Sequence, residues 1–138
     1  MSGDEPSTGT QCTIISEADL LRVRQVVRAG SLELGLVDQT KLVTAASELS
    51  RNILKYAGRG GGHVQVDLVE QNHKRGVRAV FTDSGPGISD VELAMKDGFS
   101  TGGSLGLGLP GARRLVDEFS ISSSVGQGTT VTIVKWVR

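Results

Sequence analysis

The strongest structural signal in this sequence of 138 residues is an apolar stripe that runs from Leu42 to Ala57 at helical spacing. Apolar residues that recur three and four positions apart lie on one face of an α-helix, and such a face needs a second apolar surface to cover it. The segments 64–68 and 77–81, joined by a turn at 72–76, predict paired strands that supply this surface. The stripe therefore favours an α+β fold, a two-layer sandwich of a sheet with helices grouped beside it.

Weaker patterns complete the outline. Ser16 and Asp19 have the spacing of a capping box, which predicts a first helix that Gly35 ends, and Asp38 can cap the helix with the stripe. A third helix is expected at 107–119, and further strands at 12–15, 121–125 and 129–137 give a sheet of four or so strands. We expect one domain at 12–138, preceded by a flexible, small and polar tail at 1–11.

Composition excludes several function classes. Lys plus Arg and Asp plus Glu number 15 each, and aromatic residues make up 4% of the chain, so neither the charge nor the stacking surfaces of a nucleic-acid binder are expected. The sequence contains no long apolar run, which predicts no membrane partner. Cys12 is the only cysteine, so no internal disulfide can form and a cytoplasmic location is expected.

Glycine is concentrated in one part of the chain, because six of the 19 glycines fall between Gly98 and Gly111. This is not a P-loop, since the pattern GxxxxGK[ST] is absent. The stretch GLGLPG, 106–111, matches a dinucleotide-binding pattern, but it follows a glycine and serine loop and no acidic residue occurs after Glu118. A protein-kinase glycine loop is excluded because the chain is short and lacks an HRD-type catalytic loop.

Several polar residues stand where they could meet in one cleft. Glu48 and Asn52 are four positions apart on the helix with the stripe, so they share one face. Asp83 leaves a strand, and its carboxylate could accept the exocyclic amine of adenine while Gly85 and Gly87 let the backbone approach a flat ring. The segment 102–108 opens the third helix, whose free N–H groups attract phosphate oxygens.

Each of these features also has a structural explanation. A glutamate on a helix is most often a solvated charge, an aspartate before Gly-Pro-Gly is most often part of a turn, and a glycine-rich loop is most often a connector. Their joint occurrence in this order favours a nucleotide site.

The order resembles the Bergerat ATP-binding fold of gyrase-type ATPases, Hsp90-type chaperones, MutL-type repair proteins and histidine kinases. The resemblance implies a mixed, mostly antiparallel sheet covered on one face by helices. SELSRN resembles its N box, DSGPGI its first glycine box, GLGLPG its second, and Gly128 with Thr129 its closing threonine motif. The resemblance implies that Asn52 coordinates Mg²⁺, that Asp83 reads the adenine of ATP with help from Thr129, and that 99–108 closes as a lid. The nucleotide contacts that it implies are Asn52, Asp83, Gly85, Gly87, Ser100, Thr101, Gly102, Gly103, Ser104, Gly106, Leu107, Gly108 and Thr129.

Within that superfamily, SELSRNILKYAG, DGFSTGGSLGLGLPG and IVKWVR are similar to the small serine/threonine kinases of bacterial partner-switching pathways, in particular the stressosome switch kinases. The resemblance implies that Glu48 is the catalytic base, that STAS-domain scaffold or antagonist proteins are the phosphoacceptors, and that the released kinase activates a PP2C-type phosphatase. His63 and His73 lie in predicted turns, which disfavours histidine kinase chemistry.

Two alternatives remain open. The first is an anti-sigma factor, although the anti-sigma kinases usually carry Thr where this chain has Arg51. The second is an ATP-gated binding module that transfers no phosphate.

Overall fold

The computed structural model describes residues 9–87, 95 and 108–138. Its strands are β1 (Thr10–Ile14), β2 (Gly62–Gln71), β3 (Lys74–Asp83), β4 (Glu118–Ser124) and β5 (Gly128–Trp136), and its helices are α1 (Ala18–Ala29), α2 (Leu36–Tyr56) and α3 (Gly108–Leu115), with a 3₁₀ turn at Gly58–Gly60. Among these residues, no helix combines the length and the apolar character needed to cross a membrane.

The strands form one sheet in the order β1-β2-β3-β5-β4. The α+β fold class is confirmed, and the sheet has five strands where the sequence predicted four or so. All four pairings between these strands are antiparallel, so the part of the sheet that the structure describes is not mixed. The turn between β2 and β3 favours their antiparallel pairing. Asn72 and His73 both have positive φ, as the two central residues of a type I′ hairpin turn require.

Alternation along the strands decides which side chains face the helices. One face of the sheet is buried under α1 and α2 and holds the apolar core, which includes Cys12, Ile14, Val64, Val66, Val77, Ala79, Phe81, Val131 and Ile133. The stripe on α2 covers this face with Leu42, Ala45, Ala46, Leu49 and Ile53. The apolar faces of α2 and the sheet thus bury each other, as the stripe predicted.

The boundaries of all three helices differ from the sequence predictions. Helix α1 ends at Ala29, well before Gly35, because Gly30 takes the C-cap position and a turn leads to α2. Helix α2 begins at Leu36, so Asp38 lies inside its first turn and does not cap it. Helix α3 stops at Leu115 because Glu118 already pairs with Val134 in the sheet.

Asp38 instead belongs to a network of ion pairs, which we call the C-terminal network: Asp38, Asp117, Lys135 and Arg138. The buried Lys135 Nζ lies 3.2 Å from Asp38 Oδ1 and 3.4 Å from Asp117 Oδ1. Arg138 Nη2 is 2.6 Å from Asp117 Oδ1, and its Nε is 3.2 Å from Asp38 Oδ2. The network joins the start of α2 to the segment before β4 and to the end of β5.

The network makes the free energy of unfolding depend on pH. Burial raises the pKa of the Asp117 carboxyl, but the hydrogen bond from the Trp136 backbone N–H and the charges of Lys135 and Arg138 outweigh burial and hold the pKa below its usual value. The same balance, with Lys135 and Arg138 opposing burial, lowers the pKa of Asp38. The unfolded chain therefore takes up protons first as the pH falls, and the stabilisation is lost below about pH 4.

We expect the free energy of unfolding, measured with urea, to fall between pH 6 and pH 3, and Asp117→Asn to reduce that fall. The variant should also be less stable than the parent at pH 6, because Lys135 loses one of its two carboxylate partners. Glu70→Gln, which removes an exposed carboxylate on β2, is the control and should keep the parent's pH dependence. An Asp117→Asn profile identical to the parent's at both pH values would contradict the role of the network.

Candidate functional site

Helix α2 carries Glu48 and Asn52 beside its buried stripe. Leu49 and Ile53 are buried against the sheet, while Glu48 and Asn52, each one position before them, are half-buried. The one-turn spacing gives both side chains the same side of the helix. A carboxylate and an amide are therefore presented together at the border between the core and solvent.

Arg51 holds one oxygen of Glu48. Its Nη1 donates to Glu48 Oε1 at 2.9 Å, between positions three apart on the helix. The Glu48 side chain is 19% exposed and that of Arg51 is 52% exposed, so the pair lies at the surface and adds little stability. Its consequence is geometric, because an anchored Oε1 restricts the directions in which Oε2 can point.

Asp83 is the last residue of β3, and its register fixes its neighbours. It pairs with Gly62 of β2 on one side and with Thr129 of β5 on the other. It follows Phe81 by two positions, so its side chain points to the same face of the sheet as the buried core. The half-buried carboxylate thus stands at the end of the sheet on the side that the helices cover.

Gly62 brings this carboxylate next to α2. A Cβ atom built on Gly62 would lie 3.1 Å from the Cβ of Asp83 and also 3.1 Å from Cγ2 of Ile53. Any larger residue would separate Asp83 from the helix. Gly62 is therefore the position at which the strand carboxylate approaches Ile53, the residue that follows Asn52 on α2.

The loop after Asp83 is packed by its two glycines. Asp83 Oδ1 accepts a hydrogen bond of 2.8 Å from the Gly85 N–H, and a Cβ on Gly85 would come within 2.6 Å of the Ala57 Cα at the end of α2. Gly87 has φ +81°, and its Cβ would lie 2.1 Å from the Ser124 carbonyl oxygen. Close packing therefore explains why both positions are glycine, and their contacts with adenine stay a prediction.

The start of β5 closes the site on its other side. Ser123 Oγ donates to the Gly128 carbonyl at 3.1 Å, and the Thr129 hydroxyl, 2.7 Å from Ser123 Oγ, can then donate to that oxygen. Gly128 has φ +87°, and its Cβ would lie 2.1 Å from the Asp83 carbonyl oxygen. Only glycine lets the two strands meet here, so Gly128 sets the position of Thr129 beside Asp83.

The glycine-rich part of the predicted site is only partly described. Gly108 is the first residue of α3 and has φ +51°, a backbone conformation that glycine adopts without the strain of a Cβ atom. The remaining residues predicted there lie outside the described residues: Ser100, Thr101, Gly102, Gly103, Ser104, Gly106 and Leu107.

The donor set fits ATP and Mg²⁺. A carboxylate accepts hydrogen bonds and donates none, so Asp83, which already uses Oδ1 for Gly85, can offer Oδ2 to the adenine amine. Among the described residues, no group of three or more His, Cys, Asp or Glu could hold a metal by itself. Mg²⁺ needs no such cage, because it is usually bound through one or two protein groups together with substrate phosphates and water, so the amide oxygen of Asn52 would be its protein ligand here, which stays a prediction.

Sequence reasoning missed the structural roles of three residues that shape this site. The contact of Gly62 with Asp83 and Ile53 and the close approach of Gly128 to Asp83 join positions far apart in the sequence, so no local pattern reveals them. The Arg51–Glu48 pair did have a local signal, since opposite charges three positions apart on a helix meet on its surface.

Comparison with known proteins agrees with the geometry. Residues 37–137 match the family model of histidine kinase-, DNA gyrase B- and HSP90-like ATPases. The chain is 46% identical to the serine/threonine-protein kinase RsbT of Bacillus subtilis over 127 residues, which cover 91% of this chain and 94% of that protein. It is also 30% identical to an anti-sigma F factor of Anoxybacillus flavithermus, covering 83% of this chain and 80% of the relative.

An anti-sigma F factor of Bacillus licheniformis is 29% identical to the chain over 131 residues, covering 91% of this chain and 88% of the relative. These matches confirm the resemblance carried by the N box, the glycine boxes and the closing threonine motif. The chain therefore belongs to the histidine kinase-, DNA gyrase B- and HSP90-like ATPase family and, within it, to the RsbT-type serine/threonine kinases.

Proposed function

We propose that the protein transfers the γ-phosphate of ATP to a serine or threonine of a STAS-domain scaffold or antagonist protein. The observation that carries this proposal is the pair of Glu48 and Asn52 on one side of α2, beside the border where Gly62 joins Asp83 to the helix. Such an arrangement separates the group that can take a proton from the group that reads the base. A nucleotide-binding module that transfers no phosphate would have no use for Glu48 as a base.

The residues divide the work of phosphoryl transfer. Asp83 accepts the adenine amine, and Thr129, paired with it across β3 and β5, assists at the same end of the sheet. Asn52 gives Mg²⁺ a ligand, and the metal, when bound, neutralises phosphate charge. Glu48 accepts the proton of the incoming hydroxyl through the carboxylate oxygen that Arg51 leaves available.

A second task follows from the same resemblance. After phosphorylating its scaffold, the kinase leaves it and activates a PP2C-type phosphatase by binding that protein's regulatory domain in the cytoplasm. The 46% identity to the kinase RsbT supports this proposal.

The test is a transfer assay with γ-labelled ATP and a panel of purified STAS-domain proteins. Label should move to serine or threonine of at least one of them in the presence of Mg²⁺, and not to an equimolar panel of unrelated small domains. Label on no STAS-domain protein would overturn the proposed function.

A second candidate is an anti-sigma factor, which the matches to two anti-sigma F factors favour. Binding of sigma factors and of STAS-domain proteins to the immobilised chain separates the two. Retention of a sigma factor with ATP present would favour the anti-sigma role, whereas retention of STAS-domain proteins alone would favour the switch kinase.

Asn52→Ala should remove most of the gain in ATP affinity that Mg²⁺ provides, because the metal loses its protein oxygen. We expect the dissociation constant for ATP with Mg²⁺ to rise about tenfold, the equivalent of about 1.4 kcal/mol, and to change little with EDTA. Gln25→Ala removes an amide from the exposed side of α1 and serves as the control. If Mg²⁺ strengthened ATP binding equally in Asn52→Ala and the parent, Asn52 would not be a metal ligand.

A further inference from the structure

The outward side of α2 carries a regular row of side chains that the proposed chemistry does not use in full. Helix α2 packs against both α1 and α3, and its buried stripe faces the sheet. Positions three and four apart outside the buried stripe form a second row, which includes Glu48 at the border of the core and which we call the α2 row. Its members are Lys41, Thr44, Glu48, Arg51 and Lys55.

The α2 row is symmetric about Glu48. Lys41 lies seven positions before it and Lys55 seven positions after it, so each backbone position is about 10 Å from Glu48 along the helix. Both lysines are exposed, and neither forms an ion pair with any other residue of the described ranges. The Nζ of Lys55 lies 5.4 Å from the ring centre of Tyr56, a residue that is itself 49% exposed.

Charge on this side of the helix is therefore uneven. Arg51 is engaged with Glu48 at 2.9 Å, whereas the two lysines have no carboxylate to neutralise them within the described residues. The chain as a whole has a formal net charge of zero, so these cations are a local feature. A protein that brings a hydroxyl to Glu48 must cover the α2 row, and it gains most if it brings carboxylates to both lysines.

We propose that the α2 row docks an acidic surface of the phosphoacceptor protein, with carboxylates about 10 Å to either side of the acceptor hydroxyl. The inference rests on the proposed kinase function and adds the charge pattern of its protein substrate. Lys41 and Lys55 then fix the acceptor over Glu48 from two sides and take no part in the chemistry.

Nucleic acid suits the row less well than an acidic protein. The carboxylate of Glu48 stands at its centre, where it would repel a phosphate backbone that followed the helix. Tyr56 is the one aromatic ring on α2, whereas proteins that bind single strands usually stack several bases on aromatic side chains.

The test reverses the charges. Lys41→Glu and Lys55→Glu should each raise the KM for the STAS-domain acceptor that the transfer assay identifies by about three- to tenfold, since each exchanges an attraction for a repulsion. The KM for ATP and the kcat at saturating acceptor should not change. Raising the salt concentration should reduce the difference between the variants and the parent, because exposed charges are screened.

Lys74→Glu is the matched control, because it makes the same charge change on an exposed residue beside the β2–β3 turn. Lys74 is the first residue of β3 and Asp83 the last, so the control lies far from the site along the strand. Reversing an acidic residue of the acceptor to Lys should rescue Lys41→Glu or Lys55→Glu selectively. Unchanged acceptor KM in both variants, with normal transfer by the parent, would overturn the docking proposal alone.

Absence of transfer by the parent to every STAS-domain protein would overturn the proposed function and the docking proposal with it. A single-stranded RNA oligomer gives a further outcome. If the parent bound it, and the two charge reversals weakened that binding but left the acceptor KM unchanged, the α2 row would be assigned to nucleic acid and the proposal would be overturned.

Discussion

Glu48→Gln should slow phosphate transfer by about 10²- to 10⁴-fold, which is the usual contribution of a general base. Glutamine keeps the size of the side chain and an acceptor oxygen for Arg51, so the local structure of α2 should survive. Binding of ATP and of the STAS-domain acceptor should stay close to the parent's. The measurement is the single-turnover transfer rate at saturating ATP and acceptor.

Glu33→Gln is the matched control for this variant. Glu33 Oε2 lies 2.6 Å from Arg75 Nη2, so the substitution removes a carboxylate from an arginine pair of the same kind but outside the site. The control should transfer phosphate at the parent's rate. If Glu48→Gln also transferred at that rate, Glu48 would not be the base. A loose transition state for phosphoryl transfer would place the loss at the lower end of the range.

Asp83→Asn should weaken ATP binding by about 10- to 100-fold, since a hydrogen bond to a charged group contributes about 1.5 to 3 kcal/mol. The amide oxygen can still accept the Gly85 N–H, so the loop keeps its turn, but the amide NH₂ then faces the adenine amine, donor against donor. Titration of ATP into the parent and the variant measures the loss.

Base selectivity gives the same variant a second measurement. Guanine presents a carbonyl oxygen where adenine presents its amine, so the ratio of ATP to GTP affinity should fall in Asp83→Asn. A general loss of structure would lower both affinities together, and urea unfolding of the variant checks this directly. Unchanged ATP affinity with an unchanged ratio would remove Asp83 from the adenine site.

The elements that could be predicted from sequence are those with local signals. The stripe from Leu42 to Ala57 predicted α2 because its period is repeated over several turns. Alternation along 64–68 and 77–81 predicted β2 and β3, and the position of Asp83 at a strand end followed from it. Asp38 was wrongly predicted as a cap because its partners, Lys135 and Arg138, lie at the far end of the sequence.

The shape of the site depended on contacts that no local pattern contains. Gly85 looked like a residue that lets the backbone approach a ligand, yet a side chain there would strike Ala57 at the end of α2. Gly62 had no predicted role, and Gly128 was noted only for its resemblance to the closing threonine motif, yet each closely approaches Asp83. Such close approaches become visible only when distant segments are placed in space.

The pairing of Asp83 with Thr129 also has a consequence for synthesis of the protein. Strand β5 comes after every other described element in the chain, and it pairs with the central strand β3. While a ribosome is still making β4, β3 has one unpaired edge and Asp83 lacks Gly128 and Thr129 beside it. A nascent chain should therefore gain its ability to bind ATP only after β5 has emerged, in a single late step that completes the core and the adenine end of the sheet together.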